Sequence, residues 1–247
     1  MNEVAFPFLV RVSFRGYFYS LTKRKSILNS QLTHESMKKY SFLLLALIAS
    51  ITAFAQSPIK VAFVGNSITQ GPGRDNPDSY PLQVGALLGE AYEVKNFGVS
   101  GRTLLRKGDF PFWNEPQFQE AKDFHPDVLL IKLGTNDSKP QNWAHKDEFV
   151  KDYLDMIAEF RANMPKDGKV YVIFPVPVTR VNFGITPEVM NNEQRLMLFE
   201  IVQKSGAEVI DLYTPLMDKP ELLPDGVHPN KEGLSIMAQV IARRIRL

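Results

Sequence analysis

The chain has 247 residues, no cysteine, and 29 lysines and arginines against 27 aspartates and glutamates. Without cysteine it has no disulfides, so packing alone must hold it. The charge balance offers no basic stripe for nucleic acid and no polybasic patch for an anionic membrane.

The first 55 residues read apart from the rest. Residues 1–36 are basic and aromatic, with no clear amphipathic period. From Met37, Lys38 and Lys39 form a positive start, Phe42 to Ile51 an uncharged apolar run, and Ala53-Phe54-Ala55 an A-x-A site before Gln56. These parts predict a secretory signal peptide over 37–55. Its apolar run is too short for a span of about 20 residues. Met37 is then the expected start, 1–36 an extension foreign to the protein, and 56–247 the mature domain. The expected location is periplasmic or extracellular, with no lipid-bearing cysteine and no stable membrane anchor. Residues 1–55 hold seven of the basic residues and two of the acids, so the remaining 192 carry three more acids than bases.

The mature part opens on a short apolar run, Val61 to Val64, bounded by Gly65-Asn66 and then Ser67. Such a run predicts a strand buried on both faces and ending in a tight turn. A helix is expected over Tyr80–Leu88, capped by Ser79 with Pro81 in its first turn. A strand follows over Glu93–Val99, ending in Ser100-Gly101-Arg102, then a helix over Pro116–Phe124. Asp127–Leu133 is a buried strand ending in Gly134-Thr135-Asn136-Asp137. Phe149, Tyr153, Ile157 and Phe160 lie at helical spacing within a long helix expected over Lys146–Met164. A strand at Lys169–Phe174, a proline-rich loop, a helix at Met190–Lys204 and a strand at Glu208–Leu212 come next. The loop Asp218–Pro229 leads to a last helix capped by Asn230 and running to Arg246. Five strands alternating with helices predict a parallel sheet covered on both faces, in one domain.

Strand ends of a parallel sheet share one edge, where open α/β sheets bind ligands. That edge would hold Ser67, Gly101, Asn136 and Asp137, and the loop before the last helix adds Asp225 and His228. A serine becomes a nucleophile when a base takes its proton. A neutral histidine can do so, and a carboxylate on its other nitrogen fixes the tautomer. Backbone N–H groups at Ser67 and Gly101, with the Asn136 amide, would face the developing oxyanion. Taken singly, Ser67 and His228 read equally as capping residues, and Asp225-Gly226 as a plain turn. Asp137 reads as a helix cap. Trp113 and Trp143 either stack on a sugar at the rim or cover the core edge. Arg102 either meets a substrate carboxylate or is a surface charge. His125 and His145 take no role, and no His/Asp/Glu cluster has metal-ligand spacing.

Taken together, Gly65-Asn66-Ser67, the glycine of Val99-Ser100-Gly101-Arg102-Thr103, Gly134-Thr135-Asn136-Asp137 and Asp225-Gly226-Val227-His228-Pro229 stand in one order. In that order they resemble the blocks of the SGNH (GDSL-type) hydrolases, over Gly65 to Pro229. The resemblance implies a flavodoxin-like three-layer α/β/α sandwich on a five-stranded parallel sheet, and esterase chemistry without a cofactor. It implies Ser67 as nucleophile, Asp225 with His228 as its dyad, and Ser67, Gly101 and Asn136 around the oxyanion. Among subgroups it points to bacterial carbohydrate esterases and sialate O-acetylesterase-like proteins. The expected substrate is a small-molecule or glycan ester. Rivals are a lysophospholipase or thioesterase, an acetyltransferase, and a glycan-binding protein with an inert triad. One departure stands beside the nucleophile: the family's first block reads Gly-Asp-Ser, and here Asn66 replaces the acid. The spacing G-x-S-x-G is absent because position 69 is threonine, which disfavours the α/β-hydrolase elbow.

Overall fold

In the computed structural model the described residues are 34, 36–42 and 57–246. The chain divides into two units, Met1–Gln56 and Ser57–Leu247. In the first, residues 34 and 36–42 are helical. The extension expected at 1–36 and the leader at 37–55 otherwise lie outside the described residues. Among the described residues no helix is long and apolar enough to cross a membrane.

The second unit is built on five strands: β1 (Ile59–Gly65), β2 (Tyr92–Asn96), β3 (Val128–Lys132), β4 (Lys169–Phe174) and β5 (Glu208–Asp211). All neighbours are parallel, in the order β2-β1-β3-β4-β5. This is the flavodoxin-like doubly wound order, whose switch point lies between β1 and β3. Alternate strand residues serve opposite faces. Ala62, Val64, Leu129, Ile131, Val172 and Phe174 pack against α3 (Pro116–Asp123), α5 (Phe149–Arg161) and α6 (Gln194–Ser205). Val61, Phe63, Leu130, Tyr171, Ile173 and Ile210 pack against α2 (Tyr80–Leu88) and α7 (Lys231–Ile245). Two apolar layers on one sheet give the expected three-layer sandwich. Two four-residue helices complete it, α1 (Ser67–Gln70) directly after β1 and α4 (Pro140–Trp143) after β3.

The expected elements are present, with shifted ends. β2 stops at Asn96, although Phe97 N–H and Val99 N–H still donate to Phe63 and Gly65. The Asn96 side chain accepts Gly98 N–H at 2.9 Å and donates to the Thr69 carbonyl at 2.8 Å, at the point where the regular strand ends. The long helix begins with a 3₁₀ turn at Lys146–Glu148, and its α part ends at Arg161. Its stripe Phe149, Tyr153, Ile157 and Phe160 is buried as the spacing predicts. Before α6 lies a wide π-type turn, Glu188–Glu193. Within it Asn191 holds both the N–H and the carbonyl of Val178, at 3.0 and 2.9 Å. Ser79 stands at the start of α2 but makes no capping bond, whereas Asn230 accepts Gly233 N–H at 3.0 Å and caps α7.

Candidate active site

β1 delivers its last residues to the sheet edge through a crowded turn. A Cβ on Gly65 would lie 2.0 Å from Thr69 Oγ1 and 2.9 Å from the Lys132 carbonyl, so no larger residue fits. Asn66 follows, fully buried. Its Oδ1 accepts Ile68 N–H at 3.3 Å, so Asn66 is the cap of α1. An aspartate could do the same; the amide instead leaves Nδ2 buried without a partner among the described residues. With the cap supplied by Asn66, the Ser67 hydroxyl is free for other bonds. It lies 2.9 Å from His228 Nε2.

His228 comes from the loop ahead of α7, where Asn230 takes the capping role. Asp225 Oδ1 accepts the N–H groups of Val227 and His228 at 2.8 and 2.7 Å. Its Oδ2 lies 2.7 Å from His228 Nδ1. Burial pushes the Asp225 carboxyl up, but its bonds to the His228 and Val227 N–H groups and the His228 ring outweigh this and hold it below the ordinary value. An ionised carboxylate only accepts, so Nδ1 must carry the proton. Nε2 is then the acceptor, turned to the Ser67 hydroxyl. The chain thus aligns an acceptor, a ring and a hydroxyl in the order that proton abstraction needs.

The second and third blocks are tied to this turn and to each other. Ser100 N–H donates to Gln70 Oε1, in α1, at 2.7 Å. Gly101 follows with φ +80°, a left-handed backbone that favours glycine, and a Cβ there would meet nothing within 4 Å. The need is therefore conformational rather than steric. Asn136 is 5 % exposed and spends one N–H of its amide on the Arg102 carbonyl, at 3.1 Å. Its own carbonyl accepts from Asn142 Nδ2, in α4, at 2.9 Å.

Asp137 departs from expectation. It is no helix cap: its fully buried carboxylate accepts the backbone N–H groups of Leu104 and Leu105 at 3.0 and 2.6 Å. Burial pushes its carboxyl up to about 7, against the pull of those two donors. The residue pins the segment that follows Gly101, a role reaching 32 residues back along the chain that no local pattern encodes.

The three candidate substrate contacts are spoken for. Arg102 donates from Nε to Glu115 at 2.7 Å and from Nη1 to the Ser100 carbonyl at 2.8 Å. Trp113 donates Nε1–H to the Leu104 carbonyl at 2.7 Å, and the Arg106 guanidinium lies 3.5 Å from its ring centre. Trp143 is 8 % exposed, packs on Phe149 at 5.6 Å and donates to Glu193 at 3.1 Å. Both indoles cover the core edge, and Trp143 has no open face for a sugar. The apolar stretches around them, Phe110 to Phe118 and Phe149 to Phe160, supply the neighbours that draw them in.

A cavity of about 370 Å³ opens beside Ser67 and His228. Ile68 and Leu234 give it apolar walls, and Lys231 and Asp78, paired at 3.0 Å, stand at its edge. Asp78 and Lys231 carry no motif that would have marked them. Among the described residues no His, Asp and Glu cluster has the form of a metal site.

A model of the GDSL-like lipase/acylhydrolase family matches residues 63–236. The chain is 38% identical over 218 residues to an acetylxylan esterase of Xylanibacter ruminicola, covering 81% of this chain and 45% of that protein. It is 29% identical over 125 residues to a multidomain esterase of Ruminococcus flavefaciens, covering 48% of this chain and 15% of the relative. The chain therefore spans less than half the length of these curated relatives. Among solved structures, an acetylxylan esterase from Geobacillus stearothermophilus superposes with a TM-score of 0.59 at 21% identity, covering 78% of this chain and 96% of that one. At that identity the likeness is one of fold.

Proposed function

The chain belongs to the GDSL-like lipase/acylhydrolase family, and on that premise we propose that it is an exported serine esterase removing short acyl groups, acetyl first, from a carbohydrate. The observation that carries the reading is the relay from Ser67 Oγ to His228 Nε2 at 2.9 Å and from His228 Nδ1 to Asp225 at 2.7 Å. Ser67 Oγ attacks the ester carbonyl as Nε2 takes its proton. The resulting oxyanion takes hydrogen bonds from the Ser67 and Gly101 N–H groups and the free N–H of Asn136, each worth about 3–4 kcal/mol of barrier. Collapse expels the sugar alcohol, which receives the proton back from His228. Water, deprotonated by the same nitrogen, then attacks the acyl-enzyme and releases the acid. The acetyl preference and the carbohydrate rest on the similarity to acetylxylan esterase. Export rests on the leader pattern at 37–55.

One observation favours a second reading. An acetyl group fills little of a 370 Å³ cavity with Ile68 and Leu234 in its walls. A lysophospholipase or thioesterase would use that space for a longer acyl chain.

The test is acetate release from a panel of acetylated glycans, acetylated xylan included, by the wild type and Ser67→Ala. The expected result is release by the wild type and a loss of about 10⁴–10⁶-fold in the variant. Glycan retention without ester cleavage, unchanged by Ser67→Ala, would establish a binding protein instead. Turnover that rises with acyl length on a matched ester series would establish the second reading.

A further inference from the structure

The loop after β4 carries a feature that the relay does not use. Asn182 and Ile185 exchange backbone hydrogen bonds, Asn182 N–H to Ile185 at 3.1 Å and Ile185 N–H to Asn182 at 2.7 Å. Between them lie only Phe183, at φ +54°, and Gly184, at φ +78°. Two successive positive φ values define a type I′ hairpin turn, whose first corner ordinarily takes Asn, Asp or Gly. A phenylalanine there is strained, and its surroundings must hold it in place.

The surroundings do so from the segment that bears the relay. Asn182 Nδ2 donates to the Asp225 carbonyl at 2.9 Å, and Thr179 N–H to the Gly226 carbonyl at 2.9 Å. Arg180 bonds the Pro224 carbonyl. Ile185 is buried with Val178, Met190 and Val227 in a small apolar cluster beneath the turn. The hairpin is therefore bolted to Pro224–Val227, immediately before His228. Phe183 itself is 59% exposed, and its ring meets His228 edge-on, with centroids 5.7 Å apart. At that exposure most of the ring is open to solvent.

We infer that Phe183 is a platform for the sugar ring that carries the scissile ester, and so a specificity-determining residue; this rests on the glycan reading above. The apolar C–H face of a pyranose stacks on an open aromatic face, burying area on both. His228 must return its proton to the departing sugar oxygen, which places that sugar against His228, and Phe183, outside the lining of the cavity, meets the same His228 ring. A corner residue without a ring would give the turn its ordinary backbone but no platform.

The test compares Phe183→Ala, Phe183→Leu, Phe183→Tyr and Phe183→Gly on 4-nitrophenyl acetate and on an acetylated xylo-oligosaccharide. The small ester reports whatever change passes through the Phe183–His228 contact, and each variant's effect on the oligosaccharide is read relative to it. On the oligosaccharide, Ala, Leu and Gly should raise KM about tenfold, the worth of a stacking contact, while Tyr holds the wild-type value. Phe183→Gly should also melt at a higher temperature than wild type, since glycine relieves the positive φ. A residue kept for stability would do the reverse. Equal losses on both substrates, or an unchanged KM for the oligosaccharide, overturn the platform while leaving the esterase in place. A wild type that cleaves the small ester and no acetylated glycan overturns the glycan reading, and the platform with it.

Discussion

Asp225 holds His228 at two points: one carboxylate oxygen takes its backbone N–H at 2.7 Å and the other meets its ring Nδ1 at 2.7 Å. The first bond shapes the turn and the second sets the tautomer. The two tasks can therefore be separated by mutation.

Asp225→Asn should keep the turn and lose the tautomer. The amide oxygen can still accept from Val227 and His228, while the amide nitrogen offers a donor to Nδ1. That moves the ring proton to Nε2, the wrong nitrogen for Ser67. The expected loss is about 10³–10⁴-fold in kcat, with melting temperature nearly unchanged. Steady-state kinetics on a small acetyl ester, with a thermal melt of the same sample, read both.

Asp137→Ala should be costly far from any reacting atom. It leaves the buried N–H groups of Leu104 and Leu105 without their acceptor. The expected destabilisation is about 2–4 kcal/mol in urea unfolding. Because the freed segment follows Gly101, kcat should fall as well. A melt and activity both equal to wild type would refute the pinning role.

Lys132 ends β3 on the central sheet, 1% exposed, and its Nζ has no partner among the described residues. Burial pushes its ammonium down to about 7 from the ordinary 10.5. Between those values the unfolded chain holds a proton that the folded chain has released, so this group makes stability rise with pH. Its penalty is complete below about pH 7 and vanishes above about pH 10.5. Lys132→Met, similar in shape and without charge, should stabilise the protein at pH 6 and progressively less toward pH 10. Paired urea titrations of wild type and variant at the two pH values check the sign. A gain that grows with pH would mean that the ammonium has a partner in the folded state.

Much of the scaffold was legible because its signals are short-range. Each buried strand is a compact apolar run, such as Val61 to Val64. The helix stripe Phe149, Tyr153, Ile157 and Phe160 repeats within a few turns. Turn residues such as Gly65-Asn66 and Gly134 punctuate the strand ends. Element boundaries slipped where a side chain captured a distant backbone group, as Asn96 does with Thr69 and Asn191 with Val178. The same cause hides the roles of single residues. Asp137 looks like a cap from its neighbours, and only the Leu104–Leu105 backbone reveals what it binds. Trp113 and Trp143 are aromatic residues near the site in sequence, and their partners turn them inward.

By itself, the sequence determined the alternation of strands and helices and the order of the four blocks, because periodicity, turn chemistry and block order are written in consecutive residues. Only the tertiary structure decided which hydroxyl, ring and carboxylate meet. Ser67 and His228 are 161 residues apart and come within 2.9 Å because β1 and the loop before α7 end at the same edge of one sheet. It also decided that Phe183, with no motif around it, stands open beside that ring while Trp143 is buried and Trp113 is held by Leu104 and Arg106. Where a side chain points depends on what the rest of the chain packs against it, and no local pattern carries that information.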